Sequence, residues 1–149
     1  MRILIDADGC PVVDETIKIA KENDLECLIL CDTSHIFERE GAKTITISKG
    51  ADSVDFALVN MLKNSDIVIT QDYGLAAMCL AKKALPISQN GMIYDDSNIG
   101  ALLLQRHTAK KIRQAGGRIK GGNTKRTPEQ NQQFCTALRR LINDTQRTD

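Results

Sequence analysis

The chain contains 149 residues, of which 42% are hydrophobic and 26% are charged. This length and balance fit one globular domain over residues 1–149 with a single core, and they exclude a disordered or fibrous chain. No apolar run approaches the ~18 residues of a transmembrane helix. The start MRILIDAD meets an acid too early for a secretory signal, so we expect a cytoplasmic protein.

Charge is divided unevenly along the chain, although the formal net charge is only +1. Residues 1–75 carry 7 basic and 14 acidic side chains, whereas residues 76–149 carry 13 basic and 5 acidic ones. A split of this kind favours a polyanionic or metal-linked partner. The 5 cysteines are an odd number, and two of them lie in the apolar run ECLILC. Their placement indicates structural thiols rather than disulfides or a zinc site.

The hydrophobic pattern predicts strands that alternate with helices. In chain order we expect a strand at 2–6, a helix at 11–24, strands at 26–31 and 43–48, a helix at 51–64, a strand at 66–70, a helix at 73–83, an edge strand at 84–88 and a helix at 97–115. A basic, glycine-containing linker at about 116–128 then leads to a last helix at about 128–143. Short β-branched strands between helices predict an α/β protein, a three-layer α/β/α sandwich with a mainly parallel sheet.

Acidic residues fall where the carboxyl ends of these strands are expected to meet. Asp6 and Asp8 close the first strand in ILIDADGCPV, and Asp72 follows the fourth strand in ITQDYG. Asp52 and Asp55 lie early in the helix predicted at 51–64. Because ligands of such sheets bind outside the carboxyl ends of the strands, we expect these acids to share a site.

Clustered carboxylates repel one another unless a shared proton or a hard divalent cation such as Mg²⁺ or Mn²⁺ offsets the repulsion. A cation held in this way activates water and neutralises phosphoryl charge, which suits phosphodiester hydrolysis. Structural roles stay open for four of the acids. Asp8 suits a turn and Asp52 suits a helix N-cap, and the alternative for Asp6 and Asp72 is that either is an ordinary turn former. We expect Asp14 and Asp66 to be solvated.

A long basic window follows in the second half, because no acid occurs between Ser97 and Pro128. We expect its positive side chains to contact the phosphate backbone of a nucleic acid, namely Arg106, Lys110 and Arg113 on one helix face, followed by Arg118, Lys120, Lys125 and Arg126. The alternative is a solvated basic face, with Leu102, Leu103 and Ile112 on the other side of the helix. Aromatic residues make up 3% of the chain, so we do not expect base stacking to drive binding.

The blocks ILIDADGCPVV, KGADSVDFALVNMLKNSDIVITQDYGLAA and NGMIYDDSNI resemble the YaiI/YqxD family of bacterial proteins. That family is grouped by fold with the PIN-like domains, many of which are metal-dependent nucleases. The resemblance therefore implies a PIN-like fold and catalytic, Mg²⁺- or Mn²⁺-binding roles for Asp6, Asp55 and Asp72, with Asp8 and Asp52 as further metal candidates. Many PIN-like nucleases carry another acid just after the third one, where this chain has Tyr73, Gly74 and Leu75. Asp8, or the pair Asp95 and Asp96, is a candidate for that coordination position.

Three functions stay open at this point. The first is a metal-dependent nuclease, or another phosphodiester-processing enzyme, that acts on RNA. The second is a phosphatase of the haloacid-dehalogenase type, because IDADG resembles its D-x-D-G motif, with Asp6 as nucleophile and Asp8 as general acid/base. The later lysine and acids that such enzymes need do not occur here in the right order. The third is a PIN-like protein that binds nucleic acid without catalysis.

Overall fold

The structure is a computed structural model that describes residues 1–33, 38–48, 53–116 and 125–148. Its elements in chain order are β1 (Arg2–Asp6), α1 (Val13–Glu22), β2 (Glu26–Asp32), β3 (Lys43–Ile47), α2 (Ser53–Met61), β4 (Ile67–Ile69), α3 (Tyr73–Ala81), β5 (Leu85–Ile87), α4 (Ile99–Gln114) and α5 (Pro128–Thr148). The five strands form one all-parallel sheet with helices on both sides. The three-layer α/β/α fold predicted from the sequence is therefore confirmed.

The predicted elements are all present, with shifted ends. Helix α1 begins at Val13, so Pro11 precedes the helix instead of lying in its first turn. Helix α5 continues to Thr148, five residues beyond the predicted end at 143. Asp52, and the linker residues Arg118 and Lys120, lie outside the described residues.

The strand order β3-β2-β1-β4-β5 decides where a site can form. The chain adds β2 and then β3 on one side of β1. It then adds β4 and β5 on the other side of β1. In open parallel sheets, a crevice forms at the carboxyl ends of the two strands between which the order reverses. Ile5 of β1 is in register with Ile69 of β4, so Asp6 and Thr70 come next at that crevice.

The sheet is covered on both faces, which explains its almost continuous apolar strands. One core packs α1 and α5 against one face, with Phe134 and Leu138 among its fully buried side chains. The other core packs α2 and α3 against the opposite face, through Leu58, Leu75 and neighbours. Alternate residues of β1 serve the two cores, with Ile3 and Ile5 in the first and Leu4 in the second.

Helix α4 lies outside these layers and packs chiefly against α3. Large apolar side chains remain exposed on it, with Leu104 at 65% and Ile112 at 42% exposure. The prediction that the basic and the apolar side chains of this helix lie on opposite faces was wrong in one respect. Leu102 precedes Arg106 by four residues, so the two share a face instead of opposing one another. No helix, over its described residues, has both the length and the apolar character to cross a membrane.

Asp66 was expected to be solvated, and this was wrong. It is only 1% exposed, at the start of β4, where its Oδ2 accepts a hydrogen bond from Arg2 Nη2 at 2.6 Å. The same carboxylate accepts hydrogen bonds from the backbone N–H groups of Arg2 and Lys63 at 3.1 and 2.9 Å. The pair therefore joins the amino ends of β1 and β4, opposite the crevice.

Breaking this pair should be costly, because it leaves a largely buried guanidinium without its carboxylate. We expect Asp66→Ala to lower the free energy of unfolding by about 3–5 kcal/mol. The exposed Arg39–Asp14 pair, with Nε to Oδ1 at 3.1 Å, provides the control. Asp14→Ala should cost less than about 1 kcal/mol. Urea titrations of both variants measure the difference, and equal losses would contradict a structural role for Asp66.

Candidate functional site

Five carboxylates line one cleft of about 620 Å³ at the carboxyl edge of the sheet: Asp6, Asp8, Asp32, Asp55 and Asp72. We call this the acidic cleft. The other lining side chains that matter here are Thr70, Gln71, Tyr73, Gln89 and Arg106. The volume lies within the range of about 300–1,000 Å³ that is usual for ligand sites. The acids predicted to share a site, so far as they are described, are thus brought to one place.

Thr70 links the two acids that follow the central strands. Its hydroxyl donates to Asp6 Oδ2 at 2.9 Å and accepts the backbone N–H of Asp72 at 3.0 Å. Its carbonyl oxygen accepts the hydroxyl of the buried Tyr94 at 3.1 Å. Thr70 is itself only 2% exposed, so the packing beneath the cleft holds Thr70 and its three hydrogen bonds in place.

Asp72 caps helix α3. Its Oδ1 accepts hydrogen bonds from the backbone N–H groups of Gly74 and Leu75 at 2.9 and 3.2 Å. The same oxygen lies 3.0 Å from Nη1 of Arg106, which reaches it from α4. Gly74 makes room for this contact, since a Cβ there would stand 3.2 Å from Asp72 Oδ1 and 3.7 Å from Arg106 Nη1. The glycine that follows Tyr73 thus accommodates an ion pair where the resemblance led us to look for another acid.

Asp6 is the acid whose ionisation is most disturbed. Burial raises its pKa to about 6, the hydrogen bond from Thr70 opposes the rise, and the charges of Asp72 and Asp8 add to it. A carboxyl held close to other carboxylates in a partly dry cleft resists ionisation. The repulsion between Asp6 and the charges of Asp72 and Asp8 is relieved either when Asp6 loses its charge or when a cation binds beside it.

Asp8 and Asp55 enter the cleft from a turn and from a helix. Asp8 is exposed in the turn after β1, where Gly9 takes a left-handed φ of +72° and the N–H of Cys10 bonds to the carbonyl of Ala7 at 3.0 Å. Asp55 lies in the first turn of α2. Asp95 caps the turn before α4 through the N–H groups of Ser97 and Asn98, and neither it nor Asp96 lines the cleft.

Asp32 was missed by sequence reasoning. It is the last residue of β2, in register with Ile47 and one strand away from Asp6. The run ECLILCD contained the signal, since an acid again ends a buried parallel strand. The signal was overlooked because the apolar run was taken to end at Cys31.

The predicted phosphate-contacting residues have different surroundings. Lys110 and Lys125 are exposed, while the side chain of Arg113 lies outside the described part of the chain. Arg106 stands in the acidic cleft itself. Arg126 is held internally, because its guanidinium donates to Gln89 O, Asn90 Oδ1 and Asn131 Oδ1, each at 2.6 Å. Among those whose side chains the structure describes, Arg106 is the one that lines the acidic cleft.

Carboxylate oxygens are the donors that Mg²⁺ and Mn²⁺ prefer, so the chemistry of the acidic cleft suits either ion. Among the described residues, however, no three of His, Cys, Asp and Glu stand close enough together to hold one ion. The carboxylates would have to draw together around a cation. Any such ion would also compete with Arg106 for the carboxylate of Asp72.

The comparisons with known proteins agree with the resemblance. The family model described as "Uncharacterized BCR, YaiI/YqxD family" matches residues 4–144. The chain belongs to the YaiI/YqxD family. No solved structure is significantly similar to this family member.

Curated relatives share most of the length of this YaiI/YqxD chain. A UPF0178 protein of Exiguobacterium sibiricum is 51% identical over 149 residues, which cover 100% of both chains. A UPF0178 protein of Clostridium acetobutylicum is 46% identical over 95% of this chain and 97% of its own. Another, from Ruminiclostridium cellulolyticum, is 49% identical over 93% of this chain and 90% of its own. Their names state no activity, so the site has to be interpreted from its own chemistry.

Asp6→Asn tests the electrostatics of the cleft. A carboxyl whose pKa is raised from 3.8 to about 6 contributes its full stability below about pH 4 and loses it as the pH rises to about 6. The amide keeps an oxygen for the Thr70 hydroxyl and carries no charge. In the presence of EDTA we therefore expect Asp6→Asn to raise the free energy of unfolding at pH 8, by up to about 3 kcal/mol, and to change it little near pH 3.5.

Urea titrations at the two pH values measure this effect. Asp144→Asn, on the exposed side of α5, is the control and should show no comparable gain. A gain of equal size at both pH values would mean that the ionisation of the largely buried Asp6 is not its cause.

Proposed function

We propose that this chain is a metal-dependent nuclease, or another phosphodiester-processing enzyme, that acts on RNA. The observation that carries the proposal is the acidic cleft: five carboxylates line one cavity at the reversal of strand order, with Arg106 among them. Carboxylates that line one cleft repel one another, and a cation there would offset that repulsion and supply the chemistry that phosphodiester hydrolysis needs. The PIN-like nucleases that the sequence resembles support the same chemistry.

In this proposal Asp6, Asp55 and Asp72 hold Mg²⁺ or Mn²⁺, with Asp8 and Asp32 beside them. A cation there would supply an activated water and neutralise charge on the phosphate. Thr70 bonds to both Asp6 and Asp72 and so holds the two residues next to each other. Arg106, which lines the same cleft, would contact a phosphate oxygen. Lys110 extends the positive surface along α4, and the free cysteines suit a reducing cytoplasm.

The alternative of a phosphatase that uses Asp6 and Asp8 has less support. Such an enzyme needs a lysine at the phosphate, and no lysine lies among the described lining residues of the acidic cleft. A phosphoryl group trapped on Asp6 would nevertheless select that reaction.

Binding without catalysis is favoured by one observation. Asp72 Oδ1 is already engaged by two N–H groups and by Arg106, and the described acids do not form a ready site for one ion. An acidic cluster occupied by an arginine could persist in a protein that only binds RNA. Tight RNA binding that is insensitive to chelators, without cleavage, would identify such a protein.

Metal binding should stabilise the fold, because a ligand of the native state adds free energy of unfolding by mass action. We expect millimolar Mn²⁺ to raise the melting temperature of the unmodified chain by several degrees. The rise should shrink in Asp6→Asn and Asp72→Asn. Asp95→Asn, outside the acidic cleft, is the control and should keep the full rise.

Cleavage of a labelled single-stranded RNA completes this test. Asp72→Asn should abolish cleavage while RNA binding is kept or tightened, because a carboxylate that repels phosphate is removed. If Mn²⁺ leaves every melting temperature unchanged, the acids do not form a metal site. Cleavage that survives in Asp72→Asn would exclude that residue from the mechanism.

The salt dependence of RNA affinity tests the basic surface of α4. Each phosphate contact to a single strand contributes about 0.7 to the slope of log K against log salt. Replacing the exposed Lys110 and Lys111 by Gln should therefore weaken affinity and reduce the slope by up to about 1.4. Lys82 and Lys83 lie before β5, at the opposite edge of the sheet, and the same double change there is the control. Equal slopes in both double variants would show that α4 merely presents a solvated face.

A further inference from the structure

We propose that Tyr73, Gln71 and Gln89 form a binding subsite for one nucleobase, next to the acids of the acidic cleft. This inference rests on the proposed function, because it names how the same cleft would recognise its substrate. All three side chains line that cleft. The ligand class is a single-stranded nucleotide whose base turns in toward the protein.

The acidic cleft is chemically divided along the sheet. Asp32 and Asp6 end β2 and β1, on one side of the reversal of strand order. Gln71 follows β4 and Gln89 follows β5, on the other side. Asp72 follows Gln71 after β4, is connected to Asp6 through Thr70, and carries the ion pair with Arg106. One half of the cleft therefore suits a cation and a phosphate, and the other half offers uncharged groups.

Tyr73 supplies the aromatic surface in the uncharged half. It is the first residue of α3, and its ring is partly exposed in the cleft. The ring packs against Tyr94 with centroids 6.0 Å apart and an interplanar angle of 64°. Tyr94 is buried and bonded to Thr70, so the Tyr73 ring rests on a rigid base. A rigid aromatic ring beside a phosphate site is suited to stack on a base.

Gln71 offers donors whose orientation is settled by its partner. Its Oε1 accepts the backbone N–H of Gln89 at 2.8 Å. Because a backbone N–H can only donate, the amide oxygen faces Gln89 and the Nε2 group lies on the other side. Nε2 has no hydrogen-bond partner within the described ranges, so it can donate to an acceptor on a base edge.

Gln89 is fixed at its backbone and available at its side chain. Its N–H bonds to Gln71, and its carbonyl oxygen accepts Arg126 Nη2 at 2.6 Å. In the part of the chain that the structure describes, the Gln89 carboxamide makes no hydrogen bond of its own. Such an amide can donate and accept at once, which is how glutamine recognises the edge of a base. Arg126 therefore acts as a positioning residue for this amide.

Binding of nucleoside monophosphates, compared with ribose 5-phosphate, isolates the contribution of the base. Affinities are measured by NMR titration, once with Mg²⁺ and once with EDTA. For the unmodified chain, we expect at least one of the four monophosphates to bind about tenfold more tightly than ribose 5-phosphate. The phosphate contributes equally to both ligands, so the ratio does not depend on whether the metal proposal is correct.

Variants test whether Tyr73 and Gln89 cause the tighter binding of the monophosphates relative to ribose 5-phosphate. Tyr73→Leu should bring the ratio close to one, whereas Tyr73→Phe should preserve it, because stacking needs the ring and not the hydroxyl. Gln89→Ala should reduce the difference in affinity among the four bases. Gln132→Ala, an exposed amide on α5 outside the cleft, is the control. Circular dichroism verifies that each variant is folded at the temperature of the titration.

Several outcomes would overturn the subsite. These are a ratio near one in the unmodified chain, no detectable binding of any monophosphate at millimolar concentration, or a ratio unchanged in Tyr73→Leu. The proposed nuclease fails differently, since it is refuted by the absence of metal-dependent cleavage while the base-dependent ratio can persist. The two results together therefore separate an RNA-binding cleft from an RNA-cleaving one.

Discussion

The hydroxyl group of Thr70 determines the geometry of the acidic cleft. A hydroxyl has one proton, and here that proton is given to Asp6, so toward Asp72 the oxygen can only accept. The contact with Asp72 is consequently made through its N–H, and its carboxylate turns to the first N–H groups of α3. One buried residue thus aligns the ends of β1 and β4 and starts α3 through its hydroxyl, and its carbonyl oxygen holds the segment after β5 by accepting the Tyr94 hydroxyl.

Two acids in the same cleft consequently have different surroundings. Asp72 has two backbone donors and a guanidinium, whereas Asp6 has the Thr70 hydroxyl and a largely buried position that raises its pKa. Two carboxyl groups with such different environments are the arrangement from which separate roles arise. The arrangement also explains why Arg106 belongs to the cleft. Helix α4, which is otherwise exposed, brings this positive charge to Asp72, where it balances part of the negative charge of the acids.

Sequence reasoning succeeded where one pattern has one physical meaning. Strands β1, β2 and β4 are buried on both faces, so their apolar runs were recognisable, and the ends of β1 and β4 placed Asp6 and Asp72 at one cleft. It failed where a contact joins residues far apart in the chain. Asp66 is buried by Arg2, 64 residues away, and Arg126 is held by Asn90, 36 residues away. Neither partner is visible in local periodicity, so Asp66 was wrongly expected to be solvated, and the internal hydrogen bonds of Arg126 were not foreseen.

Composition misleads in a similar way about what the cleft can recognise. With 3% aromatic residues, the chain as a whole has little surface for stacking. A site depends, however, on where its few residues lie. Tyr73 is the first residue of α3, which Asp72 caps, and it therefore lies at the carboxyl ends of the strands where the strand order reverses. The carboxamides follow from the same topology, because β4 and β5 end beside it. A crevice at the point where the strand order reverses collects side chains from both halves of the sheet, so charge for the phosphate and flat polar surface for the base can adjoin.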